Sequence, residues 1–276
     1  MPGVEAVRSG TTPEYWRTVH LDGHNGVLGI RAGAGAATVQ VELSASLLPV
    51  LVPLLARVRH LLDLDATPSI IASQLREDVM LRTSVDAKPG LRVPGSLDAF
   101  ELAVRAVLGQ QVSVRGATTL AGRLVAVIAE PLPANGEITT AAPLSLSHRP
   151  LTAERLADAS LDSVAAVGMP RTRAACLINL ARVVAQGEFP LLSGALSGPP
   201  SAHAFEAHFT ALPGIGRWTS QYVSMRALRS PDAFPDGDLA LCKAAGGVTP
   251  AQLRRLAEQW RPWRAYAAMH LWASLS

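Results

Sequence analysis

The 276-residue sequence predicts an α+β N-terminal domain, a small antiparallel sheet with helices over residues 1–92, followed by an all-α domain over 93–276. Three observations carry this. Residues 15–43 alternate with a period near two between Gly, Asn and Asp turns, the pattern of strands buried on one face. From residue 97 onward the apolar residues recur at helical spacing. Within that region Leu212-Pro-Gly-Ile-Gly-Arg-Trp-Thr219 places a tight glycine turn between two helical runs, a helix-hairpin-helix.

The strands fall at Tyr15–Leu21, Gly26–Arg31 and Ala37–Leu43, an antiparallel meander. Helices at 47–63 and 68–80 follow. Lys88-Pro-Gly and Pro94-Gly-Ser then break the pattern and mark the domain boundary. Beyond it the sequence predicts helices at 97–108, 113–130, 152–157, 161–166, 171–186, 202–210, 217–228, 239–245, 250–258 and 261–274. Residues 131–150, with four prolines, read as a surface excursion. The chain has no internal repeat.

Composition excludes several classes. No apolar run is long enough to span a bilayer, since the stretch 47–56 meets Arg57, Arg59 and His60 at once. The opening residues are not expected to act as a secretory signal. Cys176 and Cys242, the two cysteines, read as buried free thiols of a reducing, cytoplasmic compartment. His203 and His208 are five apart, off a common helix face, and read as structural or solvated. The net charge of +3 does not by itself name a nucleic-acid partner. The cations are arginine except Lys88 and Lys243, which suits phosphate recognition and equally reflects a GC-rich coding bias.

The hairpin carries the first functional signal. Gly214 and Gly216 lack a Cβ, so the turn can take positive φ and its backbone can approach a ligand closely. The N–H groups opening the second helix, through Thr219, carry the positive end of its dipole and suit a phosphate. Such a hairpin grips a nucleic-acid backbone without reading sequence. Asp238 follows Gly216 by 22 positions in Phe234-Pro-Asp-Gly-Asp-Leu239. It suits the N-cap of a helix beginning near Leu239, and equally a catalytic carboxylate; the two roles are compatible. Asp236 is its competitor.

Three further stretches extend the pattern: Asp98-Ala-Phe-Glu-Leu-Ala-Val-Arg-Ala-Val-Leu-Gly-Gln-Gln-Val-Ser113, Gly168-Met-Pro-Arg-Thr-Arg-Ala174 and Trp260-Arg-Pro-Trp-Arg-Ala-Tyr-Ala-Ala-Met-His-Leu-Trp272. With the hairpin and Asp238 they resemble the helix-hairpin-helix DNA glycosylase superfamily, and within it the 3-methyladenine DNA glycosylase II family, over nearly the whole chain. The resemblance implies monofunctional excision of alkylated bases from duplex DNA by base flipping and hydrolysis of the N-glycosidic bond. It implies action as a monomer on bacterial nucleoid DNA, with no membrane and no cofactor.

It makes Asp238 the catalytic carboxylate, and Trp218, Tyr222 and Trp272 the aromatic walls against which an electron-deficient base stacks. A lysine stands at the position of Trp218 in strand-cleaving relatives, so Trp218 disfavours lyase chemistry. Gln110 and Gln111 correspond to the loop that fills the gap left by the flipped nucleotide, with leucine at the position of Gln111 in some members. A monovalent cation on the backbone carbonyls of Thr210, Leu212 and Ile215 is also implied, whereas the iron–sulfur cluster of some relatives is excluded by the cysteine count. Where the family often carries an aromatic residue this chain has Leu239. The family's small domain starts earlier, with a strand and helix ahead of a segment like Pro2-Gly-Val-Glu-Ala-Val7, so those elements are expected to be missing here, leaving a sheet edge open. The alternative is a non-catalytic helix-hairpin-helix module that binds or senses lesions.

Overall fold

A computed structural model describes residues 1–35, 37–133, 142–143, 145–189 and 202–275. Contacts divide the chain into two units interleaved in sequence, Met1–Leu55 with Val107–Glu188 and Ala56–Ala106 with Phe189–Ser276.

The first unit holds a four-stranded antiparallel sheet in the order β1-β2-β3-β4: β1 (Glu5–Arg8), β2 (Glu14–Leu21), β3 (His24–Ala32) and β4 (Val39–Leu43). Asp22 and Gly23, at φ 48° and 80°, form the two-residue turn that pairs Leu21 with His24. Two consecutive positive φ values match the right-handed twist of the flanking strands. β1 is an addition to the predicted meander; its four residues are too few to show alternation. The N–H of Thr18 also bonds the Val4 carbonyl at 2.8 Å.

The described residues of 131–150 include some that pack onto the sheet, beyond the surface excursion expected. Pro131 bridges to His148, the Thr18 hydroxyl donates to the His148 carbonyl at 2.9 Å, and Ala142 and Leu146 pack with Trp16 and Val27. Residues 134–141 and 144 lie outside the described residues. The unit continues through α5 (Val114–Ile128), α6 (Ala153–Ala157), α7 (Leu161–Ala165) and α8 (Arg171–Ala185). Ser113, Thr152 and Ser160 each cap their helix through a side-chain oxygen.

Before α1 (Leu51–Leu61), residues Ala45–Val50 form a 3-10 turn. The predicted single helix divides there because Pro49 and Pro53 have no N–H to give. The predicted helix 68–80 ends earlier as α2 (Pro68–Leu75), and α3 (Arg82–Ala87) is new. The Asp78 carboxylate accepts from the N–H groups of Met80 and Leu81, at 2.8 and 3.2 Å, turning the chain into α3. α4 (Ala99–Leu108) crosses from the second unit into the first along the chain.

The second unit is otherwise α9 (Ala202–Thr210), α10 (Arg217–Arg226), α11 (Leu239–Ala244), α12 (Pro250–Leu256) and α13 (Arg264–Ala273). Its core gathers Ile71, Leu75, Leu81, Leu241, Leu253, Trp260 and Leu271, among others, around α13. No described helix is long and apolar enough to cross a membrane.

Candidate active site

The hairpin joins α9 to α10 through residues 211–216. Gly214 sits at φ +88°, a conformation that costs an L-residue its Cβ clearance, and is exposed. Gly216 has φ −95° and ψ 173°, ordinary extended backbone, and N-caps α10 without a side chain. A Cβ built there meets nothing within 4 Å. Its requirement for glycine is therefore outward-facing: it leaves the mouth of the helix bare. Ser220 N–H bonds the Gly216 carbonyl at 3.1 Å and begins the helical ladder, so the N–H groups of the preceding turn stand at the helix mouth. Thr219 belongs to that turn, and its side chain is buried.

The Leu212 carbonyl accepts the Ile215 N–H at 3.1 Å and closes the turn. Thr210 ends α9 just before this turn.

Asp238 N-caps α11: its Oδ1 accepts the Leu241 N–H at 2.9 Å. Two indoles complete its shell. Trp218 Nε1 donates to Oδ2 at 3.0 Å, and Trp272 Nε1 donates to Oδ1 at 3.1 Å. α10, α11 and α13 thus converge on one half-buried carboxylate. Oδ1 is engaged by two donors, whereas Oδ2 has one partner among the described residues and keeps an open lone pair. Tyr222, one turn beyond Trp218, stacks on its ring at 5.3 Å between centroids and 13° between planes. Leu239, at the first position of α11, is 83% exposed beside Asp238.

The loop bearing Asp238 is fixed by residues that sequence reading did not single out. Gln221, buried on α10, accepts the Phe234 N–H at 2.8 Å and donates to Glu206 at 2.7 Å. Asp236 is 3% exposed and binds the guanidinium groups of Arg217 and Arg254. Its carboxylate raises the basicity of Arg254. Asp236 is thus an anchor of the loop, and Asp238 is the carboxylate facing the aromatic wall. No motif marks Gln221 or Arg254; only a contact map reveals them.

Gln110 and Gln111 belong to the first unit, in the turn between α4 and α5. The Gln110 carbonyl accepts from Arg173 of α8 at 2.6 Å. Gln111 is exposed with φ 55°, a left-handed backbone unusual for a residue with a Cβ. Val112 and Val114 are exposed beside it.

A separate cavity of about 280 Å³ in the second unit is lined by His60, Asp63, Gly95, Arg226, Arg229 and Tyr266, among others. Burial lowers the basicity of His60, which meets the Arg226 carbonyl at 3.0 Å. Burial likewise raises the Tyr266 phenol, which donates to Asp63 at 2.9 Å. Neither Asp238 nor any of the three aromatic residues around it lines this cavity. Both cysteines are buried and free, and burial pushes the Cys176 thiol up to about 11.

Comparison with known proteins follows the same lines. Residues 1–98 match the family described as the AlkA N-terminal domain. The chain is 35% identical to DNA-3-methyladenine glycosylase 2 of Escherichia coli (strain K12) over 269 residues, covering 98% of this chain and 88% of that protein. It is 38% identical over its whole length to a protein of Mycobacterium tuberculosis named a probable bifunctional transcriptional activator/DNA repair enzyme AlkA, of which it spans 52%. Among solved structures, the 3-methyladenine DNA-glycosylase from Archaeoglobus fulgidus superposes with a TM-score of 0.79 at 21% identity, covering 98% of this chain and 89% of that one.

Proposed function

This chain belongs to the DNA-3-methyladenine glycosylase 2 family, and we propose that it excises alkylated bases, of the 3-methyladenine type, from duplex DNA by hydrolysing the N-glycosidic bond. The observation that carries the reading is Asp238 held between Trp218 and Trp272 at the start of α11. Cleavage of the bond leaves positive charge on the sugar. A carboxylate beside it stabilises that charge and orients the attacking water. With Oδ1 filled by two donors, Oδ2 is the oxygen that meets the sugar or the water.

Trp218 and Tyr222 form an aromatic stack beside Asp238 for the extruded base to join, and a cationic alkylated purine gains attraction to it beyond ordinary stacking. The hairpin turn around Gly214 and Gly216 holds backbone phosphate, and Gln111, left-handed and exposed, fills the gap in the duplex. A monovalent cation on the carbonyls of Thr210, Leu212 and Ile215 would stiffen the turn and supply no reaction step. With Trp218 in place of an amine, the product is an abasic site rather than a cut strand. The Asp238 cluster draws its described partners from one chain, which supports action as a monomer, and a duplex DNA substrate favours association with the bacterial nucleoid.

The test is release of methylated purines from alkylated duplex DNA by the parental chain and by Asp238→Asn. The variant binds lesion DNA within a few-fold of the parent and excises slower by on the order of 10²-fold or more. Parental rates in Asp238→Asn would overturn the catalytic assignment.

A further inference from the structure

We propose that Arg173 is a positioning residue for insertion into DNA: by holding the Gln110 carbonyl it fixes the backbone from which Gln111 enters the duplex. This rests on the glycosylase reading above, in which Gln111 fills the gap left by the flipped nucleotide, and adds the residue that prepares the insertion. Arg173 comes from Gly168-Met-Pro-Arg-Thr-Arg-Ala174, a stretch that the site around Asp238 leaves unused.

Gln111 is exposed at φ 55° in the turn between α4 and α5. A residue with a Cβ keeps such a backbone only where its surroundings over-determine it. Three ties act on this turn. The Gln110 N–H bonds the Val107 carbonyl at 3.3 Å, and the Ser113 Oγ accepts the Gly116 N–H at 3.1 Å as α5 begins. Between them, Nη2 of Arg173 donates to the Gln110 carbonyl at 2.6 Å. That carbonyl shares a rigid peptide plane with the nitrogen of Gln111, and φ of Gln111 is the rotation that starts from this plane. Holding the plane therefore holds the angle. Neither of the other two ties touches it.

The tie joins segments far apart in sequence, and a second one keeps them together. Arg123 of α5 donates through Nη1 to the Val167 carbonyl at 3.2 Å. Gly168 follows at φ +107°, where a Cβ would stand 3.1 Å from that same guanidinium. The bare backbone turns there toward Pro170, the N-cap of α8, and so sets Arg173 in the first turn of the helix. Among the described residues no carboxylate pairs with Arg173, so its charge strengthens the bond to the Gln110 carbonyl. Without that bond the turn samples negative φ and orders only when DNA arrives. The ordering cost then weakens binding where Gln111 has a gap to fill, and not elsewhere.

The experiment compares affinity for a duplex carrying one tetrahydrofuran abasic-site analogue with affinity for the undamaged duplex, at one salt concentration. The readout is the ratio of the two Kd values, which is insensitive to the fraction of each sample that folds. Arg173→Met lowers the preference for the abasic duplex about tenfold, the scale of one charge-assisted hydrogen bond. Arg173→Lys, which keeps the charge and loses the planar fork, lowers it less and serves where Arg173→Met does not accumulate. With Gln111→Ala already in place, Arg173→Met changes the ratio by less than about twofold, because the residue it positions is gone. An undiminished effect in that background, or an unchanged ratio in Arg173→Met, would overturn the proposal while the glycosylase reading stood. So would an equal loss on both duplexes with a shallower salt dependence, which would make Arg173 a phosphate contact. A parental chain that releases methylated purines without preferring the abasic duplex overturns this proposal alone. One that does neither removes the glycosylase reading along with it.

Discussion

The indole Nε1 of Trp218 donates to Oδ2 of Asp238 at 3.0 Å, so the residue proposed as a wall for the base also braces the carboxylate. Trp272 repeats the arrangement at Oδ1. Phenylalanine separates the two roles, because it keeps an aromatic face and removes the donor. Trp272→Phe and Trp218→Phe are each expected to lower single-turnover excision about tenfold, since a hydrogen bond to a charged group is worth roughly 1.5–3 kcal/mol. Binding to a duplex containing an abasic-site analogue should change far less. Unchanged excision in both variants would show that the cap at Leu241 suffices to hold Asp238.

Asp236 provides the contrast. It is buried and bound by Arg217 and Arg254 rather than by indoles. Asp236→Asn removes the charge that both arginines use and should lower stability by about 1–3 kcal/mol, read by denaturant unfolding. Excision per folded molecule should survive. A folded but inactive Asp236→Asn beside a fully active Asp238→Asn would exchange the two assignments.

What the sequence made legible follows from the length scale of each signal. The meander, the hairpin and Asp238 are written in local patterns: alternation, glycine spacing, a cap before Leu239. The helices around the site were placed within a few residues because each has its own apolar period. The strand β1 is too short to show one, and α3 is set by Asp78 turning the chain rather than by its own sequence. The brace on Asp238 was illegible for another reason. An indole N–H looks the same in sequence whether it meets water, a core carbonyl or a carboxylate 20 or 34 positions away. The anchoring of Asp236 by Arg254 depends likewise on long-range packing.

The two hairpin glycines should fail differently. Gly214→Ala forces a Cβ into φ +88°, which costs about 1–2 kcal/mol, so stability and DNA binding fall together. Gly216→Ala is compatible with φ −95° and open space, so its melting temperature should match the parent's. Its Cβ instead projects from the helix mouth, and affinity for damaged and undamaged duplexes should drop alike. Equal affinity of Gly216→Ala and parent, measured at one salt concentration, would remove phosphate from the mouth of α10.

Product chemistry offers an independent check. In the proposed mechanism Trp218 holds the α10 position that an attacking amine would take, and its nitrogen is spent on Asp238. Borohydride should therefore trap no protein on lesion DNA, and the product strand should remain intact until heated in base. Efficient trapping that is lost on substituting Lys243, the lysine of α11, would identify a lyase.

Acid stability gives the last prediction. His270 is 2% exposed on α13, with Ser84 Oγ 3.0 Å from its Nδ1, and burial lowers its basicity below that of a free imidazole; His60 is lowered for the same reason. In each case the unfolded chain takes up a proton at a pH where the folded chain does not. The unfolded state then binds more protons, so stability rises with pH through that window. The contribution is fully present above the unfolded value of 6.5 and is lost as pH falls from there toward the lower folded values. Denaturant midpoints measured between pH 7.5 and 5 should decline on the acid side, and His270→Gln should flatten part of that decline while lowering the midpoint at pH 7.5. A slope identical in parent and His270→Gln would mean that His270 takes up no proton on unfolding in this range.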